Sequence, residues 1–197
     1  MPTLYGLKPR FQALLAPLVR WLAAIGVTAN QITITAAILS IALGAWLFFE
    51  RAAFVLLAPF LLVRMALNAI DGMLARQYGQ KSALGGLLNE AGDVVSDAAL
   101  YLPFAHLPGM NAALVVAAVF LAGLTEFVGV CAVAIGAARR YDGPMGKSDR
   151  ALVFGALGLW VGLGNMPGIG ANIWVAGIVV LLLVTCIRRA RMALRGT

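Results

Sequence analysis

Apolar residues run along this chain in long blocks broken by short polar stretches. A membrane span needs about 20 mainly apolar residues. Six stretches fit that pattern: 32–49, 52–75, 84–106, 111–138, 151–164 and 169–187. The first ends at Glu50-Arg51, and Pro108-Gly109 breaks the third. The fourth is long enough to tilt or to project from a bilayer. Ahead of them, residues 7–25 are shorter and more polar. Leu14, Leu15, Leu18 and Leu22 recur there at helical spacing beside Lys8, Arg10 and Arg20. That pattern predicts an amphipathic helix lying in the membrane interface. Pro9 and Pro17 interrupt it, which argues against a cleaved signal peptide. The expected fold class is all-α: a polytopic membrane protein with six transmembrane helices in 32–187 and an N-terminal interfacial helix. No internal repeat or soluble segment divides 1–197, so one membrane-embedded domain is expected.

Composition narrows the picture. The chain is 62% hydrophobic and 12% charged, against about 25% charged for a soluble domain. A water-soluble globular protein and a disordered chain are both excluded. A disulfide scaffold is excluded too, because the two cysteines, Cys131 and Cys186, lie in apolar runs and read as small buried hydrophobes. The net charge is +7, and the basic residues cluster at span ends. Thirteen of the fifteen Lys and Arg fall on one side of a six-span topology, leaving Arg51 opposite and Arg64 inside a span. The positive-inside rule then puts both termini in the cytoplasm. No basic stripe interleaved with aromatics suggests nucleic acid. Size and the lack of a targeting segment suggest a bacterial inner membrane.

The second and third spans carry Asn68, Asp71, Arg76, Asn89, Glu90, Asp93 and Asp97. Charge inside a bilayer is costly and usually functional. Residues three or four apart share a helix face. Asn68, Asp71, Gly72, Ala75 and Arg76 therefore form one stripe, and Gly85, Asn89, Asp93 and Asp97 form another. Gln77–Leu84 contains Gly79 and can turn between them. Two antiparallel helices would then face each other across a void left by Gly72, Ala75 and Gly85. Carboxylates and amides around that void suit a hard divalent cation, Mg²⁺ or Mn²⁺. Such an ion can hold a nucleotide diphosphate, with the Arg76 guanidinium at the rim.

This segment resembles the signature of the CDP-alcohol phosphatidyltransferase family, D-x-x-D-G-x-x-A-R-x8-G-x-x-x-D-x-x-x-D. Asp71, Gly72, Ala75, Arg76, Gly85 and Asp93 match it at the right spacing, while Asn68 and Asn89 stand where the family has Asp. The stretch Thr28-Ala-Asn30-Gln-Ile-Thr33 is similar to the family's P-N-x-x-T, with Ala29 in place of Pro. The resemblance implies six transmembrane helices, a cytoplasm-facing site and a homodimer. It also implies transfer of a phosphatidyl group from CDP-diacylglycerol to an alcohol, with release of CMP, in phospholipid biosynthesis. Asp71 and Asp93 become the catalytic residues and, with Asn68 and Asn89, the metal positions, Asp93 serving also as base. Asn30, Thr33, Gly72, Ala75, Arg76 and Gly85 become nucleotide-binding. Two lost charges imply one metal ion rather than two, weak metal binding before the diphosphate arrives, or an inactive chain. Glu90 and Asp97 are the candidates to restore charge, Asp97 on the correct face and one turn deeper.

The loop around 139–150 resembles the family's G-K segment. Its cations suit a phosphorylated polyol such as glycerol 3-phosphate or an inositol phosphate, or anchor the membrane surface. Arg139, Lys147 and Arg150 are the acceptor candidates, the last two on one helical face. Arg64 is expected to pair with Asp97. Glu126 either lines the cavity or bonds a neighbouring helix. His106 and the tryptophans Trp21, Trp46, Trp160 and Trp174 read as structural. The glycines of the last two spans permit close packing, at a dimer interface among other places. Two other functions fit less well: an inactive CDP-lipid-binding homologue, and a small cation transporter, against which the apolar outer halves of the spans argue.

Overall fold

The computed structural model describes residues 8–196. Seven α-helices follow in order: α1 (Lys8–Ala24), α2 (Ala29–Phe49), α3 (Leu57–Gln77), α4 (Ala83–Tyr101), α5 (Ala112–Ala134), α6 (Lys147–Gly162) and α7 (Ile169–Leu194). Tight 3-10 turns at Arg51–Leu56 and Leu102–His106 lead into α3 and out of α4. No strand occurs among the described residues. The all-α expectation holds. Leu7, where the expected N-terminal helix begins, and the side chains of Lys8 and Arg10 lie outside the described residues.

Local chemistry sets the helix ends. Thr28 opens α2 with a capping box: its hydroxyl accepts from the Gln31 amide N–H (3.3 Å), and Gln31 Oε1 accepts from the Thr28 N–H (2.9 Å). The Ser82 hydroxyl accepts from the Gly85 N–H (2.9 Å) to start α4, and Asn111 Oδ1 accepts from the Leu114 N–H (3.2 Å) to start α5. Gly79, at φ +69°, supplies the left-handed step that turns α3 into α4.

Four elements are long and apolar enough to cross a membrane: Ala29–Phe49, Arg51–Gln77, Ala112–Ala134 and Ile169–Leu194. The other two expected spans form helices but fall short of that measure. The third, α4, carries Asn89, Glu90, Asp93 and Asp97, and the fifth, α6, has only 16 residues. The fourth expected span is also shortened. Its helix stops at Ala134, where Gly136 takes φ +84° and the Ala137 N–H turns back to Ala132 O (3.0 Å). The sixth runs past 187 to Leu194.

The main core joins α2 to α7. Phe54, Leu57, Leu61, Leu100, Phe154 and Val175 are fully or nearly fully buried in it. The Tyr101 and Phe154 rings stack at 4.0 Å, and Phe54 meets Phe104 edge-on at 4.7 Å. A second cluster docks α1 on α3 through Val19, Ile70, Met73 and Leu74. The four α1 leucines are split by it. Leu15 and Leu22 pack against α3, while Leu14 and Leu18 face outward with Trp21. Adjacent positions on a helix differ by about 100°, so Leu14 and Leu15 cannot share a contact. Large apolar side chains such as Ile38, Leu62, Phe120, Phe127 and Ile173 are exposed around the bundle. That surface, with its long apolar helices, is that of an integral membrane protein.

Glycines allow the closest approaches. A Cβ at Gly44 would strike the Ala99 carbonyl, and one at Gly162 would strike the Val55 backbone. In α6, Gly155 and Gly158 likewise face Ala58 and Leu57. The α6 glycines are therefore spent inside this chain, whereas Gly170 and Gly177 of α7 meet nothing within 4 Å. Gly162→Ala should lower stability by about 1–3 kcal/mol, the usual cost of overpacking. Gly170→Ala should leave it unchanged. Thermal unfolding in detergent checks both.

Candidate functional site

The α3–α4 hairpin and the start of α2 enclose a cavity of about 410 Å³. Its walls follow from helix periodicity. The capping box fixes the first turn of α2, so Asn30 and Thr33 enter one wall. Asn68, Asp71, Gly72, Ala75 and Arg76 bring the α3 stripe, and Gly85 and Asn89 the α4 stripe. All six residues expected to bind a nucleotide line this space, as do Asn68, Asp71 and Asn89 of the four metal positions.

Asp71 is buried, and the Thr33 hydroxyl donates to its Oδ2 at 2.8 Å. Asn68 Nδ2 is buried with no hydrogen-bond partner. Rotating that amide exchanges oxygen for nitrogen without changing its shape. A Cβ at Gly72 would lie 2.9 Å from the Arg76 guanidinium, and one at Gly85 would lie 2.7 Å from Asn30 Oδ1. The two glycines thus admit polar groups that any side chain would displace. Gln80 also lines the cavity, a role that its position beside a turn glycine did not reveal. Its Oε1 accepts from the Ala29 N–H (2.7 Å), which ties the start of α2 to the α3–α4 turn.

Asp93 lies one turn beyond Asn89, outside the cavity wall. It accepts a hydrogen bond from Lys147 and is 3.6 Å from Arg64. From Asp93 a chain of ion pairs runs into the bundle. Arg64 donates to Asp97 Oδ1 (2.5 Å), the pairing expected from sequence, and Arg150 Nε donates to Asp97 Oδ2 (2.8 Å). Arg150 Nη2 donates to Glu126 Oε1 (2.9 Å), while Arg139 and Arg189 reach Glu126 Oε2, each at 3.3 Å. Arg139 also pairs with Glu90. Glu126 therefore bonds neighbouring elements and does not line the cavity.

Two sequence expectations change here, and a third residue gains a role. Asp97 is spent on two arginines and supplies no charge to the cavity. Arg150 is 1% exposed and bound to Asp97, Glu126 and the Thr125 hydroxyl, so it is an internal strut. Arg189, which the sequence only counts among the thirteen cations on one side, is buried, with Thr125 O accepting from it at 2.5 Å. Sequence offered no signal for this, because its partners come from distant helices.

Among the described residues, no group of three or more His, Cys, Asp or Glu is gathered to hold a metal ion. Amides at 68 and 89 account for that. The cavity itself offers oxygen donors alone, the Asp71 carboxylate and the amides of Asn68 and Asn89, with the Asn68 Nδ2 unpaired, while the Asp93 carboxylate stands one turn beyond on Lys147. Such a set fits a hard cation of the Mg²⁺ or Mn²⁺ type whose charge is completed by a diphosphate.

The family model described as CDP-alcohol phosphatidyltransferase matches residues 26–187. The inner membrane protein YnbA of Escherichia coli is 49% identical over 98% of this chain and 96% of that protein. Phosphatidylinositol phosphate synthase of Mycobacterium tuberculosis, solved with CDP-DAG bound, superposes with a TM-score of 0.75 at 19% identity, covering 90% of this chain and 92% of that one. The same enzyme with manganese and citrate gives 0.75 at 20% identity, covering 90% and 88%. These structural likenesses establish the shared fold.

The network has an energetic signature. Removing one partner of a buried ion pair costs about 3–5 kcal/mol. Asp97→Ala should therefore destabilise the protein by that amount, since it strands Arg64 and Arg150. Arg140→Ala, which breaks only the more exposed pair with Asp142, should cost less than about 1 kcal/mol. Paired thermal unfolding curves measure the difference.

Proposed function

The chain belongs to the CDP-alcohol phosphatidyltransferase family and is a transferase of that class; from this premise we propose that it moves a phosphatidyl group from CDP-diacylglycerol to an alcohol and releases CMP. The supporting observation is the cavity itself. One small space combines a buried carboxylate, an unpaired amide, two glycines and an exposed Arg76 beside the apolar faces of α2 and α4.

In this reading Asn30, Thr33, Gly72, Ala75 and Gly85 receive the cytidine nucleotide against the helix backbones, and Arg76 meets its phosphates. Asn68, Asp71, Asn89 and Asp93 would hold one or two Mg²⁺ or Mn²⁺ ions. A bound ion supplies charge stabilisation at the attacked phosphoryl group and at the departing CMP. Asp93, partly exposed and held by Lys147, takes the proton as the acceptor oxygen forms its bond to phosphorus and the bond to CMP breaks. Arg139 and Lys147 are the contact cations on the acceptor side, with Arg150 bracing them from below. On cation count alone, the acceptor would be a phosphorylated polyol such as glycerol phosphate or inositol phosphate.

The placement in the cell follows the same reading. We take α4 and α6 as crossing the membrane with the four longer elements, giving six crossings in one domain over 1–197. Both termini and the cavity then face the cytoplasm, α1 lies in the interface, and the bacterial inner membrane is the site. The lipid-facing surface would also carry a homodimer contact.

Purified protein given CDP-diacylglycerol, Mg²⁺ or Mn²⁺ and a panel of alcohols should release CMP only when an acceptor is present. Chelating the divalent ion should abolish release. Asp93→Ala should slow it by about 10²-fold or more, the usual contribution of a general base. An unchanged rate in Asp93→Ala would remove Asp93 as the base, and acceptor-independent release would mark a hydrolase.

A further inference from the structure

We infer that the acceptor is an uncharged polyol, bound by its hydroxyls, and not a phosphorylated one; the inference rests on the phosphatidyl-transfer reading above. Along α4 from Asn89, the next polar groups are Glu90 and, one turn on, Asp93. Facing them are Arg139 and Lys147. Each cation of this region is held by a carboxylate. Arg139 is bound by Glu90 and Glu126 and lies over the Tyr141 ring at 4.7 Å. Arg140 is bound by Asp142 (2.9 Å), Lys147 by Asp93, and Arg150 by Asp97 and Glu126. Asp149 adds another carboxylate, accepting from the Gly146 N–H at 3.0 Å.

A phosphate dianion needs uncompensated positive charge. Here Arg139 is already paired with Glu90 and Glu126, and Arg140 with Asp142, none of them metal positions, so the attraction of these cations for a phosphate is offset by carboxylates at the same range. A phosphate is also a poor hydrogen-bonding match, because its oxygens chiefly accept and the carboxylates offer no proton. A hydroxyl both donates and accepts. Polyol hydroxyls can therefore donate to Glu90 and Asp93 while accepting from Arg139 and Lys147. These four side chains are 14–28% exposed, so a solute can reach them.

Glu90 is thus a specificity-determining residue: it cancels the charge of Arg139 that a phosphorylated acceptor would use. The test compares CMP release from CDP-diacylglycerol with glycerol and myo-inositol against glycerol 3-phosphate and inositol 1-phosphate. Neutral polyols should be preferred by about tenfold or more in kcat/KM, and Glu90→Gln should move the phosphorylated-to-neutral ratio upward by about tenfold, the effect of 1.4 kcal/mol at a cation that keeps only Glu126, itself shared with Arg150 and Arg189. Preference for a phosphorylated acceptor by the unaltered protein would overturn the inference and leave phosphatidyl transfer standing. A ratio unmoved by Glu90→Gln, in a variant that melts like the parent, would overturn the role of Glu90. Release with neither class would overturn both readings.

Discussion

Carboxylates buried among apolar helices must be neutralised, and the bundle is organised around that requirement. Each buried ion costs several kcal/mol in lost hydration, repaid only by close and well-oriented partners. Here Arg64 comes from α3, Asp97 from α4, Glu126 from α5, Arg150 from α6 and Arg189 from α7. Five helices each contribute a member, so none can slide or rotate without stranding a charge. The network therefore fixes α4 against α3 in the register that sets Asn68 and Asp71 opposite Gly85 and Asn89.

The cavity beside it is built the opposite way. Among the described residues, Asp71 has no cation paired to it and takes the Thr33 hydroxyl instead, and Asn68 Nδ2 has no partner. Polar groups left short of partners, next to a network in which ion pairing is dense, are what the proposed ligand-binding role of this cavity calls for. Glycines separate the two regions by function as well. Gly44 and Gly162 let helices close on one another, whereas Gly72 and Gly85 let side-chain cations and amides lie over bare backbone.

Much of this was legible in the chain. The four-residue spacing of Gly85 and Asn89 and the stripe from Asn68 to Arg76 were enough to predict a shared cavity, because helix periodicity is local, whereas Asp93, next on the same spacing, falls one turn beyond its wall. The Arg64–Asp97 pair followed from matching depth in adjacent antiparallel helices. Glu126 and Arg189 were not legible, since their meeting depends on how α5 and α7 pack, and nothing local encodes that. Helix ends also shifted. Lys147 begins α6 ahead of the apolar run, and Gly136 stops α5 before the run's apolar content fades. Arg150 was the most instructive difference: its charge and its spacing from Lys147 suggested a ligand contact, yet burial among Asp97, Glu126 and Thr125 makes it structural.

The account stands most directly on the cavity taking a CDP-lipid headgroup together with a divalent ion. Equilibrium binding of CDP-diacylglycerol to the detergent-solubilised protein, measured by calorimetry with and without Mg²⁺ for the parent and for Asp71→Ala, tests this. The account predicts tight binding that requires the ion and is lost in Asp71→Ala while that variant still unfolds cooperatively. Equal affinity with and without Mg²⁺, or affinity unaltered by Asp71→Ala, would contradict it.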